Sequence, residues 1–187
     1  MELIDVIDEN NKLTGEVLDR KEIHEKGLWH RQVSCWIMNK EGKILFQKRA
    51  ETKKKNPNKW SKTGGHVDSG EEPIIGIQRE IEEELGIKIP VEKLELLTVE
   101  KVKRDLFKND IYHCYYGYNY FTVVDYKIED YTMQKEEVND LKYVSIEEMI
   151  EAKNLNDENY TFIRWNNFDE VIEMLKQKRK ELLWERK

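Results

Sequence analysis

The 187-residue chain has two cysteines, three prolines and nine glycines, and no apolar run approaching the roughly 18 residues that cross a bilayer. Two cysteines exclude a disulfide scaffold. Cys35 and Cys114 lie far apart, in no metal-type spacing and in apolar strand-like contexts, so buried reduced thiols are expected. The opening MELIDVIDENN has neither a basic flank nor a greasy stretch, so the cytoplasm is the expected compartment, with no membrane partner. Excess positive charge is lacking as well. Thirty-two Lys and Arg against 38 Asp and Glu give a net charge of −6, which argues against a nucleic acid polymer as partner because phosphate backbones are held mainly by surplus cations.

Hydrophobic residues make up 39% and charged residues 37%, and the apolar ones fall in periodic blocks, the pattern of a folded chain. The length suits one domain with a genuine core. LIDVID and LTGEVL around the turn-rich DENN predict an N-terminal β-hairpin, within an extension of about residues 1–28. A short helix from Arg20 should stop at Gly27. VSCWIM and ILFQ flank NKEGK as a second hairpin, and Asn56-Pro57-Asn58 marks a loop. From Pro73, apolar Ile74, Ile77, Ile81 and Leu85 recur at helical spacing until Gly86. LELLTVEKV and IYHCYYGYNYFTVV read as strands joined by a charged turn around Lys103 to Asp110, with LKYV a further strand. Ser145-Ile-Glu-Glu148 has capping-box spacing and should open a helix, and a C-terminal amphipathic helix is expected over about 159–185. The sum is an α/β chain with a mixed sheet between helices.

Glu80, Glu83 and Glu84 stand at i, i+3 and i+4, so a helix puts all three on one face. They also occupy the last turns of that helix, where the macrodipole disfavours acids. Each like-charged pair, and each misplaced acid, costs a few tenths of a kcal/mol. A solvated acidic face is one explanation of such a cluster. A hard divalent cation is the other, since it removes both penalties and prefers carboxylate oxygens. Arg79 cannot face the same way as Glu80, so it is expected to brace the preceding loop by pairing with an acid such as Glu71, with an ordinary surface ion pair as the alternative.

The surroundings favour the cation. Written out from Gly65 to Ile87, the segment is glycine, five residues, Glu71, seven residues, Arg79-Glu80-Ile81-Glu82-Glu83-Glu84-Leu85-Gly86-Ile87, which resembles the Nudix box in every defining position. That resemblance implies an α/β/α sandwich with the box as a loop-helix-loop, Mg2+ or Mn2+ as cofactor and hydrolysis of a diphosphate. It implies Glu80, Glu83 and Glu84 as metal ligands with the Gly64 carbonyl as a further one, and Glu83 or Glu137 as the base that accepts the proton from water. The basic stretch Lys48 to Lys62 then acquires a role, with Arg49 or Lys62 clamping the diphosphate. Trp60 is either a base-stacking platform or core packing.

The N-terminal part, DVIDENNKLTGEVLDRKEIHEKGLWHRQVSCWI, resembles a narrower branch containing type I isopentenyl-diphosphate isomerase and the Nudix hydrolases built on the same scaffold. In that light His24, His30 and His66 resemble the isomerase's histidine set and imply a second metal site. The alternative is a helix-surface His24, with His30 and His113 as ordinary strand residues. The isomerase's Cys-Gly-His-Pro is here Gly64-Gly65-His66-Val67, so its proton-donating thiol is missing, and Asp110 alone does not replace the pair that moves protons on an alkene. Hydrolysis is therefore expected over isomerisation. A non-catalytic nucleotide-binding module is a third reading, which loss of a box glutamate would support; none is lost. Nucleoside diphosphates or their derivatives lead as substrates, ahead of isoprenoid diphosphates. The aromatic stretch YHCYYGYNYF is read first as core, and its outer side or the N-terminal hairpin could pair two copies in a homodimer.

Overall fold

The structure is a computed structural model and describes residues 2–53, 55–106, 111–165 and 167–184. In chain order the elements are β1 (Leu3–Ile7), β2 (Leu13–Asp19), α1 (Arg20–Lys26), β3 (His30–Asn39), β4 (Ile44–Arg49), β5 (Trp60–Ser61), β6 (Thr63–His66), α2 (Pro73–Leu85), β7 (Glu95–Leu106), β8 (Ile111–Val124), β9 (Val138–Val144), α3 (Ile146–Asn154) and α4 (Phe168–Trp184). β1 and β2 form a separate two-stranded sheet. The larger, mixed sheet has the order β5-β4-β3-β8-β7, with β6 pairing β3 and β9 pairing β4. Among the described residues, no helix is long and apolar enough to cross a membrane.

The contacts divide the chain into two compact units. The first consists of Met1–Cys35, Gly64–Glu82 and Lys88–Phe121. Here β1 and β2 pair antiparallel from Leu3↔Asp19 to Ile7↔Leu13, as the DENN turn predicts. α1 starts at Asp19, whose side chain accepts from the Lys21 amide, and stops at Gly27, which takes the left-handed conformation (φ 65°) that L side chains resist. Ile4, Val6 and Ile23 form a core under this hairpin and helix, while Ile7, Trp29 and Cys114 form a neighbouring one. β7 and β8 pair antiparallel, with Leu96 opposite Tyr120 and Lys103 opposite Cys114. Both cysteines are buried thiols. Asp110 lies outside the described residues.

The second unit consists of Trp36–Thr63, Glu83–Ile87 and Thr122–Lys187. β9 runs antiparallel to β4 from Ile44↔Val144 to Arg49↔Val138. Its core is aromatic: Phe46 meets Phe162 at 5.6 Å between ring centroids, and Trp36 meets Trp165 at 5.5 Å. α3 opens on the reciprocal capping box, the Ser145 hydroxyl accepting from the Glu148 amide and the Glu148 carboxylate from the Ser145 amide. The C-terminal helix begins at Phe168, later than the expected 159, because Thr161–Arg164 forms a tight 3-10 turn that buries Phe162 and Ile163 in the aromatic cluster. Burial of those two side chains fixes the 3-10 turn ahead of the helix.

Candidate active site

α2 spans Pro73–Leu85, as the spacing of its apolar residues predicts, and Ile77, Ile81 and Leu85 are fully buried. The opposite consequence of that register is that Glu80, Glu83 and Glu84 stand on successive turns of the same helix. Gly86 follows with φ 69°, where a Cβ would come 2.7 Å from Thr132 Cβ, so only glycine lets the chain leave the helix here. The last carbonyls of α2 do not go unpaired: the Leu85 carbonyl accepts from the Thr132 amide at 3.0 Å and the Glu84 carbonyl from the Gln134 amide at 3.2 Å.

Within the first unit, Arg79 organises the box. Its Nε and Nη2 each donate to Glu71 at 3.1 Å, and Nη2 also donates to the His66 carbonyl at 3.0 Å. The expected pairing with Glu71 is thus present. The expectation that Arg79 faces away from Glu80 is corrected: Nη1 donates to Glu80 Oε1 at 2.9 Å, because the long side chain folds back along the helix and spreads its planar fork across both acids. Burial opposes the charge on Arg79, but the hydrogen bonds and fields of Glu71 and Glu80 outweigh it and raise its pKa further. Glu80 in turn lies against the glycine loop, where a Cβ on Gly65 would come within 2.4 Å of its carboxylate. β1 holds the same loop from outside: the Asp5 carboxylate accepts from Ser69 Oγ at 2.7 Å and from the Gly70 amide at 2.9 Å.

Gly64 is equally constrained, since a Cβ there would sit 2.3 Å from the Val33 carbonyl oxygen and 2.8 Å from Ser34 Cα. Both are backbone atoms and cannot swing aside. This loop therefore rejects any side chain at the position where the isomerase pattern has its cysteine.

The histidines converge in the first unit. One nitrogen from each of His24, His30 and His66 lies within 4.8 Å of the others. His24 comes from α1, His30 from β3 and His66 from the end of β6, so only the fold brings them together. His30 is fully buried and His66 nearly so. Burial, reinforced by the neighbouring His66, lowers the pKa of His30 to about 3, so its ring is neutral at ordinary pH. His113 borders the cluster, its ring 5.5 Å from that of His24. Sequence reasoning missed two polar neighbours. Gln32 lies 3.2 Å from both His30 Nε2 and His66 Nε2, and Glu2 Oε1 lies 3.2 Å from His66 Nδ1. Burial would raise the Glu2 pKa, but hydrogen bonds from His66 and Arg20 outweigh it and hold it at about 2. The alternation of side chains along a strand would have put Gln32 beside His30; nothing in the sequence points to Glu2.

Within the second unit, Glu84 is buried and accepts from Gln47 Nε2 at 3.0 Å, while Gln47 Oε1 accepts from Thr63 at 3.1 Å. Glu137 stands just before β9, on the turn whose Gln134 amide caps the Glu84 carbonyl, and it forms an ion pair with Lys53. Arg49 is half-buried, and its Nε donates to the Lys55 carbonyl at 3.0 Å. The Lys62 ammonium rests over the rings of Trp36 (4.7 Å) and Trp165 (5.2 Å). Trp60 is half-buried, with the Lys142 ammonium 4.2 Å and the Lys48 ammonium 5.9 Å from its ring centre, so two cations already face its π-system.

A model of the NUDIX domain matches residues 28–166, a span that includes all of α2 and its flanking glycines. The chain belongs to the Nudix family. It is a Nudix hydrolase, of a family that acts on diphosphate bonds and generally uses divalent metals. This Nudix chain is 38% identical over 152 residues to an uncharacterized Nudix hydrolase of Clostridium acetobutylicum, an alignment covering 79% of this chain and 72% of that one. It is 30% identical over 158 residues to an isopentenyl-diphosphate Delta-isomerase of Pectobacterium atrosepticum, covering 83% of each. In fold it resembles a Deinococcus radiodurans protein of known crystal structure, with a TM-score of 0.65 at 18% identity, covering 93% of this chain and 99% of that one.

Proposed function

We propose that this Nudix protein is a magnesium-dependent pyrophosphohydrolase that cleaves the diphosphate linkage of a nucleoside diphosphate or a derivative of one. The observation that carries this reading is α2 itself: three carboxylates on its last turns, Glu80 gripped by Arg79 beside Gly65, and Glu84 buried with an amide partner at Gln47. Buried and clamped acids at a helix C-terminus are costly unless a cation offsets them. The donor set is all oxygen and hard, which fits Mg2+ or Mn2+, and the ligands would be Glu80, Glu83 and Glu84 with the Gly64 carbonyl. When bound, the cation supplies charge neutralisation of the diphosphate and makes water more acidic.

The chain's own residues do the rest. Arg79 fixes the Glu80 carboxylate and, through Glu71 and the His66 carbonyl, the loop that precedes α2. Glu83 or Glu137 takes the proton from the attacking water. The placement of Glu137 supports its share, since its turn is hydrogen-bonded to the end of α2. Arg49 binds diphosphate oxygens, with Lys62 as the weaker choice because its charge already faces two indoles. Trp60 offers a stacking surface for a base. His24, His30 and His66 form a second site for a divalent metal. The backbone around Gly64 weighs against isomerisation, because a thiol at that position has no room.

A panel of nucleoside diphosphates, sugar nucleotides and isopentenyl diphosphate, each with Mg2+, tests this. Phosphate-bond cleavage of a nucleoside diphosphate or derivative is expected. Isomerisation of isopentenyl diphosphate with no cleavage of any panel member would overturn it.

A further inference from the structure

Two rings of the histidine cluster have their protonation pattern set from outside. His30 Nδ1 lies 3.1 Å from the Leu28 carbonyl, and His66 Nδ1 lies 3.2 Å from the Glu2 carboxylate. Both of those oxygens only accept, so both Nδ1 atoms carry the proton and, in the neutral rings, both Nε2 atoms present lone pairs. The two lone pairs face one group, the Gln32 side-chain amide, 3.2 Å from each. Two acceptors require a donor with two N–H bonds, which assigns the NH2 end of Gln32 to that point. His24 Nε2 lies 3.1 Å from the same His66 Nε2 and so donates to it in the metal-free cluster, presenting its own lone pair only once its proton moves to Nδ1.

The amide end of Gln32 therefore stands 3.2 Å from each of two imidazole nitrogens, a separation that ligand atoms of one metal ion keep from each other. Gln32 and His30 are two residues apart on β3 and share one face, so the strand itself holds the amide there. A half-turn about the terminal torsion of glutamine, which is broad and soft, exchanges NH2 for Oε1 at the same place. The same side chain can thus orient the rings as a donor or complete a coordination sphere as an oxygen ligand.

We propose that Gln32 is the fourth ligand, through Oε1, of a divalent transition metal held by His24, His30 and His66. This rests on the assignment of those histidines to a metal site made above, and adds a ligand to it. Three neutral imidazoles and an amide oxygen form a donor set of the kind that takes zinc, cobalt or iron in preference to magnesium. Glu2 supports the site indirectly, since a carboxylate on Nδ1 fixes the ring of His66 and raises the basicity of its Nε2.

Cobalt(II) titration of the chelator-stripped full chain, followed by visible absorption and by calorimetry, is the test. The wild type is expected to bind Co2+ at a site whose ligand-field bands and calorimetric component are lost in His30→Ala, separately from any ion taken by the α2 carboxylates. Gln32→Ala should weaken binding by at least ~10-fold and alter the band pattern, while Gln32→Glu, keeping an oxygen donor and adding charge, should restore or tighten it. Circular dichroism melts confirm that each variant is folded. If Gln32→Ala binds as tightly as wild type or more tightly, the amide only competes for the lone pairs and its role as ligand is wrong, while the histidine site stands. If the wild type gives no bands that depend on His30, the histidine site itself is wrong and the proposal falls with it.

Discussion

Arg79 shows why a planar guanidinium, rather than any cation, stands before the glutamates. One side chain reaches Glu71 twice, Glu80 once and the His66 carbonyl once, and only a rigid fork spans four acceptors in fixed directions. Arg79→Lys keeps the charge and loses the fork. It is expected to lower the unfolding free energy by about 1–3 kcal/mol in urea titrations, as groups left without a partner become desolvated for nothing, and to raise the Mg2+ concentration needed for half-maximal activity. His30 offers a separate check. Its pKa falls from 6.5 in the unfolded chain to about 3 when buried, so below pH 6.5 the unfolded state binds a proton that the folded state refuses. The sign follows: this residue's contribution is intact above pH 6.5 and is lost as pH falls toward 3, by at most about 1.4 kcal/mol per pH unit. In metal-free buffer, the stability of wild type should therefore decline more steeply from pH 6.5 to pH 4 than that of His30→Gln; parallel curves would show that the buried ring does not titrate this way.

At the scale of elements, the proposed function requires α2 to trade helix stability for chemistry. Like-charged glutamates at i, i+3 and i+4 repel, and all sit at the negative end of the helix dipole. Glu83→Lys reverses both effects and should raise the unfolding free energy in chelator by roughly 0.3–1 kcal/mol while abolishing the stabilisation that Mg2+ gives wild type. A variant less stable in chelator, or one still stabilised by Mg2+, contradicts the helix's role. The elements were legible where one physical rule dominated. Pro73, four periodic apolar residues and Gly86 delimit α2; Ser145 and Glu148 delimit the start of α3; Gly27 ends α1. The apolar face of the C-terminal helix is legible from Phe168, where α4 begins, but the outer bound near 159 is too early, because Tyr160 and Phe162 are recruited by Phe46 on a distant strand, which no local window contains. The two-residue β5 is likewise defined by its partner Gln47↔Ser61 rather than by its own sequence.

At the scale of the molecule, the box was readable because its residues are contiguous, whereas what supports it is not. The pair of Lys53 with Glu137, the bond from Gln47 to Glu84 and the grip of Asp5 on Ser69 and Gly70 join residues far apart in sequence. The histidines stand on an intermediate footing: the resemblance names them, the fold gathers them, and the tertiary structure alone places Gln32 and Glu2 beside them. A cation held by the box, as proposed above, would account for why so acidic a helix persists. The most direct test of the account compares hydrolysis of the best nucleoside diphosphate substrate by wild type and Glu84→Gln, each with Mg2+ and with chelator. Glu84→Gln keeps the shape of a buried side chain and removes one carboxylate. The account predicts turnover by wild type that chelator abolishes, and a loss of at least about 100-fold in the folded variant, a cost of the order seen when a group acting in the transition state is removed. Equal turnover by Glu84→Gln, or turnover that survives chelation, would contradict it.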